Sequence, residues 1–271
     1  MDRYVVIGNP VAHSLSPLIH ARFAEQTGET LQYSRLEAPE DGFAAVAASF
    51  FEGGGRGANV TLPFKVDAYR WAASHSERAS RAEAANFLAM RDGRVHADNT
   101  DGVGLVTDIT VNLGVPMRGK AILVLGAGGA ARGVLAPLLA LKPRHLMVAN
   151  RTAERARELA RQFGGAGRVE SSSLDLIPNE RFDVVINATS TSTRGEPLEL
   201  PAMLFREGVL AYDMAYGDAA RPFLDRAARS GARTSDGLGM LVEQAAESFY
   251  LWRGKRPQTR AVLEELRARP R

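Results

Sequence analysis

The sequence predicts an α/β protein of two lobes, an N-terminal α/β lobe and a second lobe built on a parallel sheet. Three observations carry this. At 271 residues the chain exceeds the roughly 100 to 150 residues of one compact domain. Short apolar runs alternate with helix-compatible stretches twice over, before and after Arg118-Gly119-Lys120, which is the pattern of α/β layers. In the second series an apolar run leads through a glycine cluster into a helical stretch, as successive parallel βα units require.

The composition excludes several classes. Hydrophobic residues make up 45% and charged residues 24%, enough apolar material for a core without covalent staples. There is no cysteine, so disulfides, thiolate nucleophiles and the common zinc and iron-sulfur ligand sets are ruled out, and no metal is expected. MDRYVVIGNP lacks a charged start followed by a long apolar run, and Pro137 interrupts the apolar stretch from Leu135 to Leu141. No leader or membrane span is therefore expected, and the reading is a soluble cytoplasmic protein. The net charge of +3 comes almost wholly from arginine. Those arginines are interleaved with glutamates, as in Glu154, Arg155, Arg157, Glu158 and Arg161, so a solvated helix face is expected and no nucleic-acid partner.

In the first lobe, Tyr4 to Ile7, Leu31 to Leu36 and Gly57 to Thr61 read as strands, with helices over Pro17 to Gln26 and Gly42 to Phe51. Asn86 to Arg91 and Arg94 to Asp98 flank Asp92-Gly93, the signal for a hairpin with a type I′ turn. Arg91 then faces Arg94, and Asn86 lies opposite Asn99. From Ala121 the pattern is strand Ile122 to Leu125, helix after Gly128, strand Leu146 to Val148, helix Ala153 to Phe163, then strands Val184 to Asn187 and Val209 to Asp213. Beyond Asp236-Gly237 it becomes helical, with Met240, Leu241, Ala245, Phe249 and Trp252 at helical spacing and a last helix opening at Pro257. The predicted division is residues 1–103 with 237–271 in one domain and 104–236 in the other.

AILVLGAGGAARGV places Gly126, Gly128 and Ala131 at the spacing of the GxGxxG/A fingerprint, between a strand and a helix. Small residues from Gly126 through Ala127, Gly128, Gly129 and Ala130 let backbone N–H groups approach a pyrophosphate at the helix N-terminus, as in a Rossmann-type dinucleotide domain. The alternative is an ordinary glycine turn. About 20 residues on, where NAD-dependent enzymes carry an acidic residue, stands Asn150-Arg151-Thr152, with Arg155 one helical turn along. A carboxylate would repel a 2′-phosphate, whereas Arg151 and Arg155 offer cations and Thr152 a hydroxyl, so NADP (NADPH) is favoured. Thr152 as a plain helix cap with two solvated arginines is the competing reading.

Gly57-Ala58-Asn59-Val60-Thr61-Leu62-Pro63-Phe64-Lys65 sets Asn59 and Thr61 on one strand face and Lys65 just past a proline suited to a helix start. A lysine in a first helical turn meets the positive end of the helix dipole, which is expected to lower its pKa toward the acid/base range. The hairpin pairing brings Asn86 close to Asp101, whose carboxylate could orient Lys65; a cluster of capping turn-formers is the alternative. Ser16 precedes Pro17 and reads as a helix cap, and Ser14 with Ser16 offers two hydroxyls suited to a carboxylate. Gln244 lies one turn beyond Met240 and Leu241 and could project toward a site.

Taken together, IGNPVAHSLSPLIH, NVTLPFK, EAANFL, ADNTDGVG, GAGGAAR, NRT and DGLGMLVEQAAESF resemble the shikimate dehydrogenase family over essentially the whole chain. The resemblance implies an N-terminal α/β substrate-binding domain completed by the C-terminal helices, a Rossmann-type NADP-binding domain, and an active site in the cleft. It casts Lys65 and Asp101 as the catalytic pair, and Ser14, Ser16, Thr61, Asn86, Tyr216 and Gln244 as substrate contacts, with Met214 and Gly237 near the nicotinamide. The implied reaction is reversible NADPH-dependent reduction of 3-dehydroshikimate to shikimate, in the biosynthesis of aromatic amino acids. A homodimer stays open as the assembly. Two loops depart from the family pattern: Thr191-Ser192-Thr193-Arg194 after Asn-Ala-Thr-Ser, and Gly217-Asp218-Ala219-Ala220 after the tyrosine. An enzyme that also takes quinate, or a non-catalytic dinucleotide sensor of the same fold, are the alternatives.

Overall fold

The computed structural model describes residues 1–165, 167–194 and 198–269, with the side chains of Thr193, Arg194 and Ala202 left out. The chain forms two compact units, residues 1–105 with 241–269, and Val106–Met240. Each has its own six-stranded sheet and its own apolar core.

In the first unit the order is β1 (Asp2–Gly8), α1 (Ser16–Thr27), β2 (Leu31–Glu37), α2 (Phe43–Glu52), β3 (Gly55–Val60), α3 (Lys65–Trp71), β4 (Ser74–His75), α4 (Glu77–Ala82), β5 (Phe87–Arg91), β6 (Arg94–Asp98) and the start of α5 (Asp101–Thr107). The sheet runs β2-β1-β3-β5-β6-β4, parallel at β2-β1-β3 and antiparallel through β5 and β6. Val5, Ile7, Ala58, Val60 and Leu88 point into a core closed by Phe43, Phe51 and Phe64. β1 and β3 are buried on most positions, as strands inside a sheet require, while β2 alternates and forms an edge. The hairpin has the expected register, Arg91 opposite Arg94. Its turn takes positive φ at both Asp92 and Gly93, 48° and 75°, the requirement of a type I′ turn that Asp-Gly meets.

The second unit holds β7 (Ala121–Leu125), α6 (Gly129–Ala140), β8 (His145–Asn150), α7 (Ala153–Phe163), β9 (Glu170–Ser173), β10 (Val184–Asn187), α8 (Thr191–Arg194), β11 (Leu210–Asp213), α9 (Arg221–Arg229) and β12 (Arg233–Ser235). The spatial order β9-β8-β7-β10-β11-β12 is parallel at every pair, which is the doubly wound dinucleotide-binding order with its switch point between β7 and β10. α7 buries Ala156, Leu159, Ala160 and Phe163, one face of a helix whose other face carries the charges. There Glu154 pairs with Arg157 at 2.8 Å and Arg161 at 3.5 Å. The chain leaves the first unit within α5 and re-enters it within α10 (Leu238–Arg253), followed by α11 (Arg260–Ala268).

Two local expectations are corrected. Ser16 is the first residue of α1 and Leu15 its cap, because Pro17 suits the second helical position as well as the first. α11 begins at Arg260, not Pro257; Pro257 is buried in the connection, where its fixed φ serves an extended segment equally well. The edge strands β4, β9 and β12, which the sequence pattern leaves unassigned, carry no apolar run in SH, ESSS and RTS and owe their structure to a neighbouring strand. No described helix is long and apolar enough to cross a membrane.

Candidate active site

In the first unit the residues between β3 and α3 turn on a Phe64 N–H to Thr61 O bond of 3.0 Å, and buried Phe64 anchors the turn so that Lys65 opens the helix. Lys65 Nζ donates to Asp101 Oδ2 at 2.5 Å. The other oxygen, Asp101 Oδ1, accepts from Asn86 Nδ2 at 2.8 Å. The orientation of that amide is set by Thr100, whose backbone N–H donates to Asn86 Oδ1 at 2.7 Å and so commits the amino group to Asp101. Asn86 Nδ2 also lies 3.1 Å from Gln244 Oε1. The Lys65 side chain is 14% exposed and that of Asp101 5%, so the pair is largely sheltered from solvent, the carboxylate most.

Expected site residues Lys65, Asp101, Asn86 and Gln244 thus share one hydrogen-bonded network. The network extends to residues that sequence reasoning left out of the site. Thr100 Oγ1 lies 3.2 Å from Ser248 Oγ, which accepts from Asn59 Nδ2 at 2.9 Å, and Asn59 Oδ1 accepts from the Tyr33 hydroxyl at 2.8 Å. Ser248 follows Gln244 by one helical turn, a spacing that could have been noticed; Tyr33 lies on an edge strand and gives no local signal. Ser14 and Ser16 form a second pair, their hydroxyls 3.1 Å apart, which meets the network at the Tyr33 phenol beside Ser16. Thr61 stands just past β3 and its hydroxyl makes no hydrogen bond within the described protein.

The segment leading to Asp101 is braced by ions. Burial pushes the Asp98 carboxyl up, but the Arg78 fork, the Ser76 hydroxyl and the Asn99 N–H outweigh it and hold the group below its usual range. Arg78 also reaches Glu247 of α10 at 2.9 Å. Beneath the Tyr33 end of the network, His20 is fully buried and stacks flat on Tyr33 with centroids 4.2 Å apart; burial pushes its imidazole down to about 3.

In the second unit β7 is followed directly by Gly126, which adopts φ 106° with the Ala188 carbonyl 3.0 Å from where a Cβ would stand. Only glycine tolerates that combination. A Cβ on Gly128 would meet no protein atom within 4 Å, so space is open in front of the first turn of α6, where the N–H groups lack intrahelical partners. At the end of β8 Asn150 Nδ2 donates to Thr152 O at 3.0 Å. Thr152 caps α7 by position, without a side-chain bond. Arg151 and Arg155 are both exposed there. An open glycine turn facing free helix N–H groups, with arginines where an acidic residue would select NAD, fits a dinucleotide carrying a 2′-phosphate.

Across the switch point Asp213, buried at the end of β11, accepts from Asn187 Nδ2, Ser192 Oγ and the Ala215 N–H, each at 2.8 Å. Burial raises its pKa to about 6 against the pull of these donors. This cluster orders the strand ends next to Met214 and Gly237, where a Cβ on Gly237 would stand 2.3 Å from the Met214 carbonyl. Thr191–Arg194 forms a helical turn, and Gly217–Ala220 a 3-10 turn whose Gly217 N–H donates to Asp236.

The chain matches the shikimate dehydrogenase substrate binding domain over residues 6–88, the shikimate / quinate 5-dehydrogenase family over 110–195 and the shikimate 5′-dehydrogenase C-terminal domain over 237–267. It is 56% identical to the shikimate dehydrogenase (NADP(+)) of Cupriavidus necator, covering 98% of this chain and 94% of that one. The chain belongs to the shikimate dehydrogenase family. Another member, the shikimate dehydrogenase (NADP(+)) of Acidovorax sp. strain JS42, is 54% identical over 98% of this chain and 96% of its own. Among solved structures, the shikimate 5-dehydrogenase of Thermus thermophilus in complex with NADP(H) and shikimate superposes with TM-score 0.85 at 34% identity, covering 98% of this chain and 99% of that one. An Ael1 enzyme from Pseudomonas putida does so with TM-score 0.89 at 46% identity and 98% coverage of both chains. The shikimate dehydrogenase fold and the α/β reading from sequence therefore agree.

Proposed function

We propose that the protein is an NADP-dependent shikimate dehydrogenase that reversibly reduces 3-dehydroshikimate to shikimate, the first unit holding the substrate and the second the dinucleotide. The observation that carries the chemistry is the Lys65 Nζ to Asp101 Oδ2 contact of 2.5 Å, with the second carboxylate oxygen occupied by Asn86. The reduced dinucleotide, bound at the glycine turn, supplies the hydride. Lys65 Nζ gives its proton to the oxygen that becomes the new hydroxyl, and takes it back in the oxidative direction. Asp101 holds the ammonium in line, and its own orientation is imposed by Asn86 and Thr100, so the acid is preorganised.

Ser14 and Ser16 bind the carboxylate of the substrate, and Thr61, Asn86, Gln244 and Tyr216 contact its ring hydroxyls. In the second unit Gly126, Ala127, Gly128, Gly129 and Ala130 receive the pyrophosphate, Asn150, Arg151, Thr152 and Arg155 the 2′-phosphate, and Met214 and Gly237 the nicotinamide. The enzyme works in the cytoplasm without a nucleic-acid partner, a reading supported by the pairing of helix arginines with Glu154. The test is absorbance at the NADPH band with shikimate and quinate as substrates and NADP and NAD as cofactors. Turnover of shikimate with NADP at the highest kcat/KM is expected. Preference for quinate would move the protein to the neighbouring specificity that the family description also names, and no turnover with either would sink the enzymatic reading.

A further inference from the structure

The serine pair at the start of α1 is neutral. Two hydroxyls can donate to a carboxylate, but they bind an ester or an amide carbonyl almost as well, so selectivity for an anion needs a positive charge. Arg35 of β2 supplies one. Its Nε and Nη2 fork the Ser14 carbonyl oxygen at 3.0 and 2.6 Å, using two of the five guanidinium donors. No carboxylate pairs with Arg35 among the described residues, whereas Arg22, Arg78 and Arg253 of the same unit each have one. The same fork also places Ser14. The Ser14 N–H donates to Val11 O at 3.0 Å and its carbonyl is held by Arg35, so both peptide groups are engaged and the hydroxyl is presented to Ser16, whose N–H donates to Ser14 Oγ at 3.3 Å. Two residues earlier on the same strand, and so on the same face, stands Tyr33, whose phenol lies against the Ser16 hydroxyl. One face of β2 therefore supports both serines.

We propose that Arg35 is a positioning and specificity-determining residue, which fixes Ser14 for the substrate carboxylate and makes that end of the site selective for an anion. The inference rests on the assignment of Ser14 and Ser16 to the carboxylate. It is tested on the whole protein by steady-state kinetics of the wild type, Arg35→Gln, Arg35→Lys and Ser14→Ala, with shikimate and its methyl ester, at low and high NaCl.

Arg35→Gln is expected to raise KM for shikimate about tenfold, the size of one charge-assisted hydrogen bond, with kcat within about twofold. The ester, which depends on the placing of Ser14 but not on the charge, is expected to show a clearly smaller rise in KM or inhibition constant. Arg35→Lys keeps the charge without the fork and is expected to fall between. Added salt should raise the wild-type KM for shikimate and leave that of Arg35→Gln nearly flat. A KM for shikimate unmoved by Arg35→Gln, or an equal rise for acid and ester, overturns the inference. If Ser14→Ala raises KM while Arg35→Gln does not, the carboxylate site stands and only the role of Arg35 falls. If Ser14→Ala also leaves KM unchanged, the site assignment itself falls.

Discussion

Lys65 and Asp101 are far apart in the chain, yet their side chains meet at 2.5 Å. Each is ordinary by itself, an ammonium at a helix start and a carboxylate in a turn; in the proposed mechanism the chemistry arises from their pairing. Lys65→Ala is therefore expected to lower kcat by at least about a hundredfold, the range for loss of a general acid/base, with shikimate binding largely kept. Single-turnover hydride transfer and a binding titration on the same variant check both halves. His20 makes a different kind of residue-scale prediction. Its folded pKa is about 3 against an ordinary 6.5, so between those values the unfolded chain binds a proton that the folded chain refuses. Stability is thus expected to fall as pH drops from 6.5 toward 3, by about 1.4 kcal/mol per pH unit from this group. His20→Phe keeps a ring against Tyr33 and removes the titration. The urea midpoint of the wild type should fall progressively below that of His20→Phe as pH drops through that window; parallel curves would show that His20 is already paired or charged in the fold.

At the scale of elements, the strand-turn-helix at β7 and α6 separates two uses of glycine. Gly126 serves the fold, since its φ of 106° and the nearby Ala188 carbonyl leave no room for a side chain. Gly128 has an allowed extended backbone and open space before it, so the fold does not require its missing Cβ, which in the proposed function leaves room for the dinucleotide. Gly126→Ala is expected to cost about 1–3 kcal/mol and to lower Tm. Gly128→Ala should leave Tm nearly unchanged while weakening NADPH at least about tenfold, because the methyl group occupies the approach of the pyrophosphate. Thermal unfolding beside a NADPH fluorescence titration distinguishes the two. This turn was legible in sequence because its requirements are local: an apolar strand, small residues at fixed spacing, then a helix. The hairpin around Asp92-Gly93 was legible for the same reason. β9 and β12 were not, because polar residues become strands there only by pairing with β8 and β11.

At the scale of the whole molecule the two units have separate cores and separate ligands in the proposed function. Hydrogen exchange should then divide by ligand. NADP is expected to protect the amides around 126–132 and 150–155, and shikimate those around 14–16, 61–65 and 86–101, with each ligand adding about 2.7 kcal/mol of stability at one hundred times its Kd. Protection of the glycine turn by shikimate alone would contradict the division of labour.

The sequence by itself determined the α/β class, the dinucleotide turn with its arginines, the hairpin register and the presence of Lys65, Asp101, Asn86 and Gln244 as candidates. These follow from periodicity, turn chemistry and motif spacing, which act over a few residues. Only the tertiary structure decided how they combine. Thr100 orients Asn86, Asn86 orients Asp101, Tyr33 reaches the network through Asn59 and Ser248, and Arg35 grips Ser14. Those contacts join residues from different strands and helices, and a buried polar group finds its partner wherever packing brings one, irrespective of distance along the chain.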